Sequence, residues 1–123
     1  MRSSLTCCGI NRDVKSSATG FFHLDKIDGR WWIIDPDGYG FWSVGMNAVT
    51  YNFNKNYEQQ VRRNYKGTRE WARHSIARLI KWGFNTIGCW SSNEVCYEAS
   101  KMQIPYTKYL ALAGGGKDPE DYW

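Results

Sequence analysis

The sequence predicts an α/β fold in which a short β-meander precedes alternating strands and helices. The meander is indicated by three apolar runs between residues 19 and 49, which two turn motifs separate, Asp28-Gly29 and Asp35-Pro36-Asp37-Gly38. From residue 41 onward the pattern indicates strand, helix, strand, helix and strand, an alternation typical of parallel strands with helical crossovers. A length of 123 residues and 42% hydrophobic residues match one ordinary globular domain.

Asp28-Gly29 favours a two-residue hairpin, because both central residues of a type I′ turn need positive φ, which Gly tolerates freely. In the second turn, Pro36 has the φ of the second position of a type I turn, and Gly38 suits the left-handed position that follows. Both faces of the meander carry large apolar side chains, so we expect other elements to cover it. Pairing across the hairpin predicts three opposed pairs: Ile27 with Arg30, Asp25 with Trp32, and His23 with Ile34.

The clearest helix is predicted over residues 68–81. Thr68 can cap it, and Glu70 in the first turn suits the positive end of the helix dipole. Gly83 follows the last turn and can take the left-handed position that ends a helix. Apolar and small residues recur at three- and four-residue spacing along one stripe: Trp71, Ala72, Ser75, Ile76, Leu79 and Ile80.

Three strands and a second helix complete the predicted series. The strands cover residues 41–49, 85–90 and 106–113. The second helix covers residues 93–102, with Asn93 as its cap and Pro105 beyond its end. Residues 51–67 are predicted to form a long loop.

The composition excludes several classes of partner. The net charge is +4, and no nucleic-acid-binding motif accompanies the basic residues. Part of the basic excess lies in Arg62, Arg63, Lys66, Arg69 and Arg73. We therefore interpret these residues as a solvated face and expect no nucleic-acid partner. No apolar run approaches a membrane span, and residues 1–17 lack the apolar core of a signal peptide, so we expect no membrane partner.

The four cysteines, Cys7, Cys8, Cys89 and Cys96, show no spacing typical of a zinc site. His23 and His74 lack a companion Ser/Asp or Cys arrangement that would indicate nucleophilic catalysis. We therefore predict no metal and no cofactor.

Several motifs together resemble the beginning of a β-agarase-like glycoside hydrolase, over about residues 19–113. They are Gly20-Phe21-Phe22, Asp28-Gly29-Arg30-Trp31-Trp32, Asp35-Pro36-Asp37-Gly38, Ser43-Val44-Gly45-Met46-Asn47, Trp82-Gly83-Phe84-Asn85-Thr86-Ile87-Gly88 with Trp90-Ser91, and Ile104-Pro105-Tyr106-Thr107. The resemblance implies a β region leading into a (β/α)8 (TIM) barrel, an agarose-type β-linked galactan as substrate, and a secreted or periplasmic parent protein.

The same resemblance divides the chain into an irregular or disordered segment 1–18, a meander 19–40 and a partial barrel 41–123. Within the partial barrel it implies strand one at 41–49, strand two at 86–90 and strand three at 106–112. Closed barrels of this type need about 250 residues and eight strands, so the predicted barrel is incomplete.

No catalytic residue is assigned in this chain. Retaining glycosidases need two carboxyl groups on either side of the sugar bond, and in the family these glutamates come from later barrel strands, which would lie beyond Trp123. The glutamates that are present, Glu58, Glu70, Glu94, Glu98 and Glu120, fall in predicted loops, on helices or near the end of the chain. We therefore expect this portion to be inactive alone.

Three residues are predicted to contact polysaccharide at the carboxyl ends of the strands, where barrel ligands bind. Asn47 follows strand one and could bond sugar hydroxyls, Trp90 ends strand two and could stack on a pyranose ring, and Tyr51 opens the long loop. Each also has a structural interpretation: Asn47 could satisfy loop backbone, and the aromatic rings could belong to the core.

An alternative function is a small non-catalytic α/β protein that binds carbohydrate or a protein. The predicted helix 68–81 argues against an all-β carbohydrate-binding module. If the chain is a barrel fragment, the edges at 41–49 and 106–113 lack the barrel strands that would pair with them, so the isolated chain is expected to self-associate.

Overall fold

The computed structural model describes residues 9–109, which form a mixed α/β fold, as predicted. In chain order the described elements are β1 (Ile10–Lys15), β2 (His23–Ile27), β3 (Arg30–Ile34), β4 (Tyr39–Phe41), β5 (Gly45–Met46), α1 (Lys55–Asn64), α2 (Thr68–Lys81), β6 (Thr86–Ile87) and α3 (Asn93–Lys101). No described helix is long and apolar enough to cross a membrane.

The first four strands form one antiparallel sheet in the order β1-β4-β3-β2. The predicted hairpin is confirmed: β2 and β3 pair with His23 opposite Ile34 and Ile27 opposite Arg30. Its two turn residues have positive φ, 49° at Asp28 and 80° at Gly29, as a type I′ turn requires.

The predicted second turn is also present, and the buried Asp35 organises it. One Asp35 carboxylate oxygen accepts the backbone N–H groups of Asp37 and Tyr39, at 3.0 and 2.8 Å. Gly38 donates its N–H to the Asp35 carbonyl and has a φ of 90°, which explains why glycine stands there.

The prediction that segment 1–18 is irregular was wrong for the part that the structure describes, because β1 lies within it. Ile10 pairs with Phe41, and Val14 packs over the bare backbone of Gly40. A side-chain carbon on Gly40 would lie 2.8 Å from the Cβ of Val14. The polar pattern of β1 carries little strand signal, so tertiary pairing decides its conformation. Residues 1–8 lie outside the described part.

The predicted strand 41–49 was also wrong, since the chain passes there from one sheet to another. Phe41 ends β4 in the antiparallel sheet, whereas Gly45 begins β5, which pairs in parallel with Thr86 of β6. Between them, the side-chain amide of Asn85 donates to the carbonyl of Trp42 at 2.9 Å and its oxygen accepts the N–H of Val44 at 2.8 Å. These bonds hold the crossing segment.

Parallel pairing is short. β5 and β6 are paired over two residues each, so the strand predicted at 86–90 covers only Thr86–Ile87. The third predicted strand is reduced in the described residues to one parallel bridge between Ile87 and Tyr106, and its remainder from residue 110 onward lies outside them. The incomplete barrel is thus not established by the sheets, which are small and mostly antiparallel.

The predicted helix 68–81 is confirmed at both ends, although Gly67 rather than Thr68 occupies the capping position. The second predicted helix begins at Asn93, with Ser92 at the cap, and ends at Lys101. The long loop predicted at 51–67 was wrong, because α1 lies inside it and Asn54 caps α1 by accepting the N–H of Tyr57.

One apolar core joins the three helices to β6. Its buried members are Val61, Trp71, Ala72, Ile76, Leu79, Ile87, Val95, Ala99 and Ile104.

Candidate functional site

The segments that follow β5, β6 and Tyr106 run side by side at one edge of the fold. Gly88 donates to the carbonyl of Met46 at 2.8 Å, Ala48 donates to that of Cys89 at 2.8 Å, and Thr107 donates to that of Ile87 at 2.9 Å. These are the carboxyl ends of parallel segments, the edge at which ligands bind in α/β sheets and barrels.

Two exposed aromatic side chains lie together at this edge. Trp90 is 64% exposed and Tyr109 is 55% exposed. Their ring centroids are 6.1 Å apart, and their planes meet at 35°. We call this pair the aromatic platform. Two exposed rings at a shallow mutual angle present apolar faces that can pack against the C–H face of a sugar.

Ser91 fixes the backbone beside the platform. Its hydroxyl donates to the carbonyl of Gly88 at 2.8 Å and accepts the N–H of Val49 at 3.1 Å, while the next N–H, that of Ser92, bonds to the carbonyl of Val49 at 3.0 Å. The loops after β5 and β6 are therefore tied together. This tie holds Trp90 outward with a φ of 60°, a left-handed conformation that is uncommon for residues other than glycine.

A polar cleft of about 420 Å³ adjoins the platform. Tyr51 lies in its wall, with its hydroxyl donating to Glu94 Oε1 at 3.0 Å and its ring packed edge-on against Trp71 at 5.7 Å. Burial, followed by the bond to the Glu94 carboxylate, raises the pKa of the Tyr51 hydroxyl above its ordinary value. The lining residues are Thr50, Tyr51, Asn52, Trp90, Ser91, Ser92, Asn93 and Glu94.

The structure therefore brings Tyr51 and Trp90 together, but it places Asn47 elsewhere. Asn47 is exposed and borders a separate cavity of about 330 Å³, which Arg78 and Trp82 also line. Its side-chain oxygen covers the α-carbon of Gly88 so closely that a Cβ built there would lie 2.0 Å from it. Gly88 thus makes room for the Asn47 amide.

The described glutamates all have partners. Glu58 pairs with Arg62 at 2.8 Å, Glu70 accepts the backbone N–H of Lys66, Glu94 accepts the Tyr51 hydroxyl, and Glu98 lies 4.0 Å from Arg73. Of these, Glu94 alone lines the polar cleft. The described residues also contain no group of three or more His, Cys, Asp or Glu side chains that could hold a metal ion.

Sequence reasoning missed Tyr109, Asn93 and Glu94 as neighbours of Trp90. Tyr109 fell inside a predicted strand that continued to residue 113, where alternation gives no reason to single it out. Asn93 was interpreted as a helix cap, and Glu94 as one of the glutamates that lie in loops, on helices or near the end of the chain. A useful signal was available, since both lie within four residues of Trp90 in the sequence and so must lie near the same strand end.

The comparisons with known proteins bear on the family and the fold. The chain is 40% identical to β-agarase B of Vibrio sp. (strain JT0107) over 35 residues, which are 28% of this chain and 4% of that protein. The predicted resemblance to β-agarase-like glycoside hydrolases is confirmed. No family model matches the sequence.

Two solved structures share the fold of this chain. BpGH50 matches 81% of the chain with a TM-score of 0.58 and 23% identity, and the agarase AgWH50C matches 75% with a TM-score of 0.55 and 19% identity. The matches cover 22% and 21% of those structures, so the chain spans about a fifth of their length.

Proposed function

We propose that this chain is the N-terminal, substrate-contacting part of a glycoside hydrolase that acts on agarose-type polysaccharide. The observation that carries the proposal is the aromatic platform of Trp90 and Tyr109, 6.1 Å apart and open to solvent beside a polar cleft. The similarity to β-agarase B supports galactan as the substrate class. The fold shared with BpGH50 and AgWH50C supports placing the platform within a larger barrel.

In this proposal the platform stacks on pyranose rings, and the polar cleft bonds the hydroxyl groups of the sugar. Tyr51 and Asn93 contribute polar atoms within the cleft wall. Asn47 supplies a further contact from the neighbouring cavity, which its exposed side chain borders. Stacking of this kind contributes apolar contact that tolerates variation in the hydroxyl pattern, whereas the hydrogen bonds select for it.

Catalysis is assigned to other residues of the parent enzyme. A retaining mechanism needs two carboxyl groups about 5–5.5 Å apart, and an inverting one also needs two. Within the described part of the chain, the polar cleft holds only Glu94, whose Oε1 accepts the Tyr51 hydroxyl. We therefore expect the 123-residue chain to bind oligosaccharide without hydrolysing it.

A titration of the purified chain with neutral agarose oligosaccharides, followed by tryptophan fluorescence, tests the binding. We expect saturable quenching that Trp90→Ala abolishes or weakens. A parallel reducing-sugar assay on agarose tests catalysis, with Glu94→Gln as the informative variant. Saccharide release that survives stringent purification and disappears in Glu94→Gln would overturn the assignment of catalysis to other residues.

The second candidate is a non-catalytic α/β protein that binds another protein. The observation in its favour is an exposed apolar sheet face, on which Leu24 is 67% and Trp31 is 69% exposed. Oligosaccharide binding that depends on Trp90 distinguishes the two, because a protein-binding function places no demand on that residue.

A further inference from the structure

A second, larger cleft of about 590 Å³ shares a wall with the polar cleft, since Asn93 and Glu94 line both. It lies between the first turn of α2, one side of α3 and the segment that follows the Tyr106 bridge. We call it the basic cleft. Its lining residues are Arg69, Asn93, Glu94, Cys96, Tyr97, Ser100, Tyr106 and Lys108.

The two cations that line the basic cleft form no ion pair with carboxylates of the described chain. Neither Arg69 nor Lys108 forms an ion pair among residues 9–109. Lys108 donates its ammonium to the side-chain oxygen of Asn93, and the Arg69 guanidinium lies 4.6 Å above the Tyr97 ring. The one carboxylate in the lining, Glu94, already accepts the Tyr51 hydroxyl.

Two cations lie close to the ring of Tyr97. The Lys101 ammonium, 4.4 Å from the centre of the same ring, and then Arg69 hold the pKa of the Tyr97 hydroxyl below its ordinary value. The buried Glu98 is 4.0 Å from Arg73 and acts in the opposite sense on Tyr97 as the smallest influence. Two cations, Arg69 and Lys101, therefore lie against Tyr97, which is part of the wall of the basic cleft.

We propose that the basic cleft binds an anionic substituent, a sulfate ester or a carboxylate, on a galactan chain whose neutral sugars stack on the aromatic platform. Arg69 and Lys108 are the residues that contact it. This inference rests on the proposed function, because the shared wall of Asn93 and Glu94 lets one oligosaccharide reach both clefts. Guanidinium and ammonium groups without carboxylate partners are the usual protein ligands of such anions.

The test measures the affinity of the full chain for three oligosaccharides of equal length by isothermal titration calorimetry: neutral agarose-derived, sulfated galactan-derived and uronic-acid-containing. We expect at least one anionic oligosaccharide to bind more tightly than the neutral one, and the comparison of the two anionic arms identifies the substituent. Lys108→Gln and Arg69→Gln should each weaken its binding about two- to fivefold, the range for a solvent-accessible charge pair. Arg69→Gln should leave neutral binding unchanged, because Arg69 does not line the polar cleft.

Lys81→Gln and Arg63→Gln serve as matched controls, because both residues are exposed, lie outside the cleft and change the net charge equally. If the controls lose as much affinity as the cleft variants, or if the wild type binds all three oligosaccharides equally, the proposal is overturned. If a cleft variant does not fold, the salt dependence of wild-type binding tests the role of charge instead. Added salt should weaken binding of the anionic oligosaccharide and leave binding of the neutral one unaffected.

The two proposals fail in different ways. Binding of the anionic oligosaccharide that depends on Lys108, without any neutral binding, would refute stacking on the platform and support the basic cleft. Neutral binding that depends on Trp90, without any preference for an anionic oligosaccharide, would support the platform and refute the basic cleft.

Discussion

Trp90 combines two features that are uncommon together in a large apolar residue. It is 64% exposed, and its backbone has a φ of 60°. A left-handed φ costs a residue with a side chain about 1 kcal/mol, and surrounding bonds must hold it there. The hydroxyl of Ser91 supplies two of these bonds. Backbone strain beside an exposed ring is consistent with a binding role for Trp90.

Trp90→Ala should weaken oligosaccharide binding about fivefold, equivalent to ~1 kcal/mol of lost stacking. Because the ring is mostly exposed, the free energy of unfolding should change by less than about 0.5 kcal/mol. Calorimetric titration and urea unfolding of the same preparation measure both quantities.

Trp71→Ala is the matched control, since the Trp71 ring is 4% exposed and packs in the core. It should lower the free energy of unfolding by about 3–5 kcal/mol. A comparable loss in Trp90→Ala would show that Trp90 is a core residue and would remove it from the site.

The raised pKa of Tyr51 predicts a dependence of stability on alkaline pH. The folded chain retains the hydroxyl proton above the ordinary value near 10, so the stabilisation is complete below that value. It is lost as the pH rises through the folded-state pKa, because the folded state must then carry a desolvated phenolate beside Glu94.

Unfolding by urea between pH 8 and 11.5 checks this prediction when wild type and Tyr51→Phe are compared. The variant should lose less stability over that interval. Parallel pH profiles would mean that Tyr51 titrates as in the unfolded chain and that its bond to Glu94 is not maintained.

Site residues were predictable from sequence only where strand ends could be located. Trp90 was predicted to end a strand that reaches residue 90, but β6 ends at Ile87 and Trp90 lies in the turn that follows it. The meeting of Trp90 with Tyr109 was not predictable, since it depends on how the segment after Tyr106 lies against β6. Tyr51 was predicted as a contact, and its bond to Glu94 on α3 was not foreseen.

At the scale of elements, the pairing of β1 with β4 depends on the absence of a side chain at Gly40. Gly40→Ala would place a carbon 2.8 Å from the Cβ and 2.9 Å from a methyl of Val14, and one of the two strands must shift. We expect a loss of about 1–3 kcal/mol in the free energy of unfolding, as for other overpacked sites.

The double variant Gly40→Ala with Val14→Ala distinguishes steric conflict from a general intolerance of β4. Removal of the Val14 methyl groups should recover part of the lost free energy of unfolding. Measurement of Val14→Ala alone completes the double-mutant cycle. If the two losses simply add, the contact between Val14 and Gly40 does not limit the position of β1.

At the scale of the whole molecule, one face of the β2–β3 hairpin remains uncovered within the described chain. Phe22 and Ile33 are each 41% exposed on this face, and Leu24 and Trp31 more than half. A contiguous apolar surface of this kind promotes association with other chains. We therefore predict that the purified 123-residue chain self-associates at micromolar concentration.

Light scattering coupled to size-exclusion chromatography measures this association. The double variant Leu24→Lys with Trp31→Lys should shift the population toward monomer, whereas Trp82→Lys, which alters an equally exposed ring on another surface, should not. A wild-type chain that is monomeric with a sharp cooperative melt would contradict the prediction and show that the face is stable in water.

The sequence by itself determined the two turns of the meander and the bounds of helix Thr68–Lys81. Those features depend on φ preferences at single residues and on periodicity within one element, so their causes lie a few positions apart. The tertiary structure alone decided that β1 is a strand, that the chain changes sheets after Phe41, and that Trp90 meets Tyr109. These outcomes depend on bonds and contacts between distant segments, such as the bond from Asn85 to Trp42 across 43 positions, whose partners no local pattern identifies.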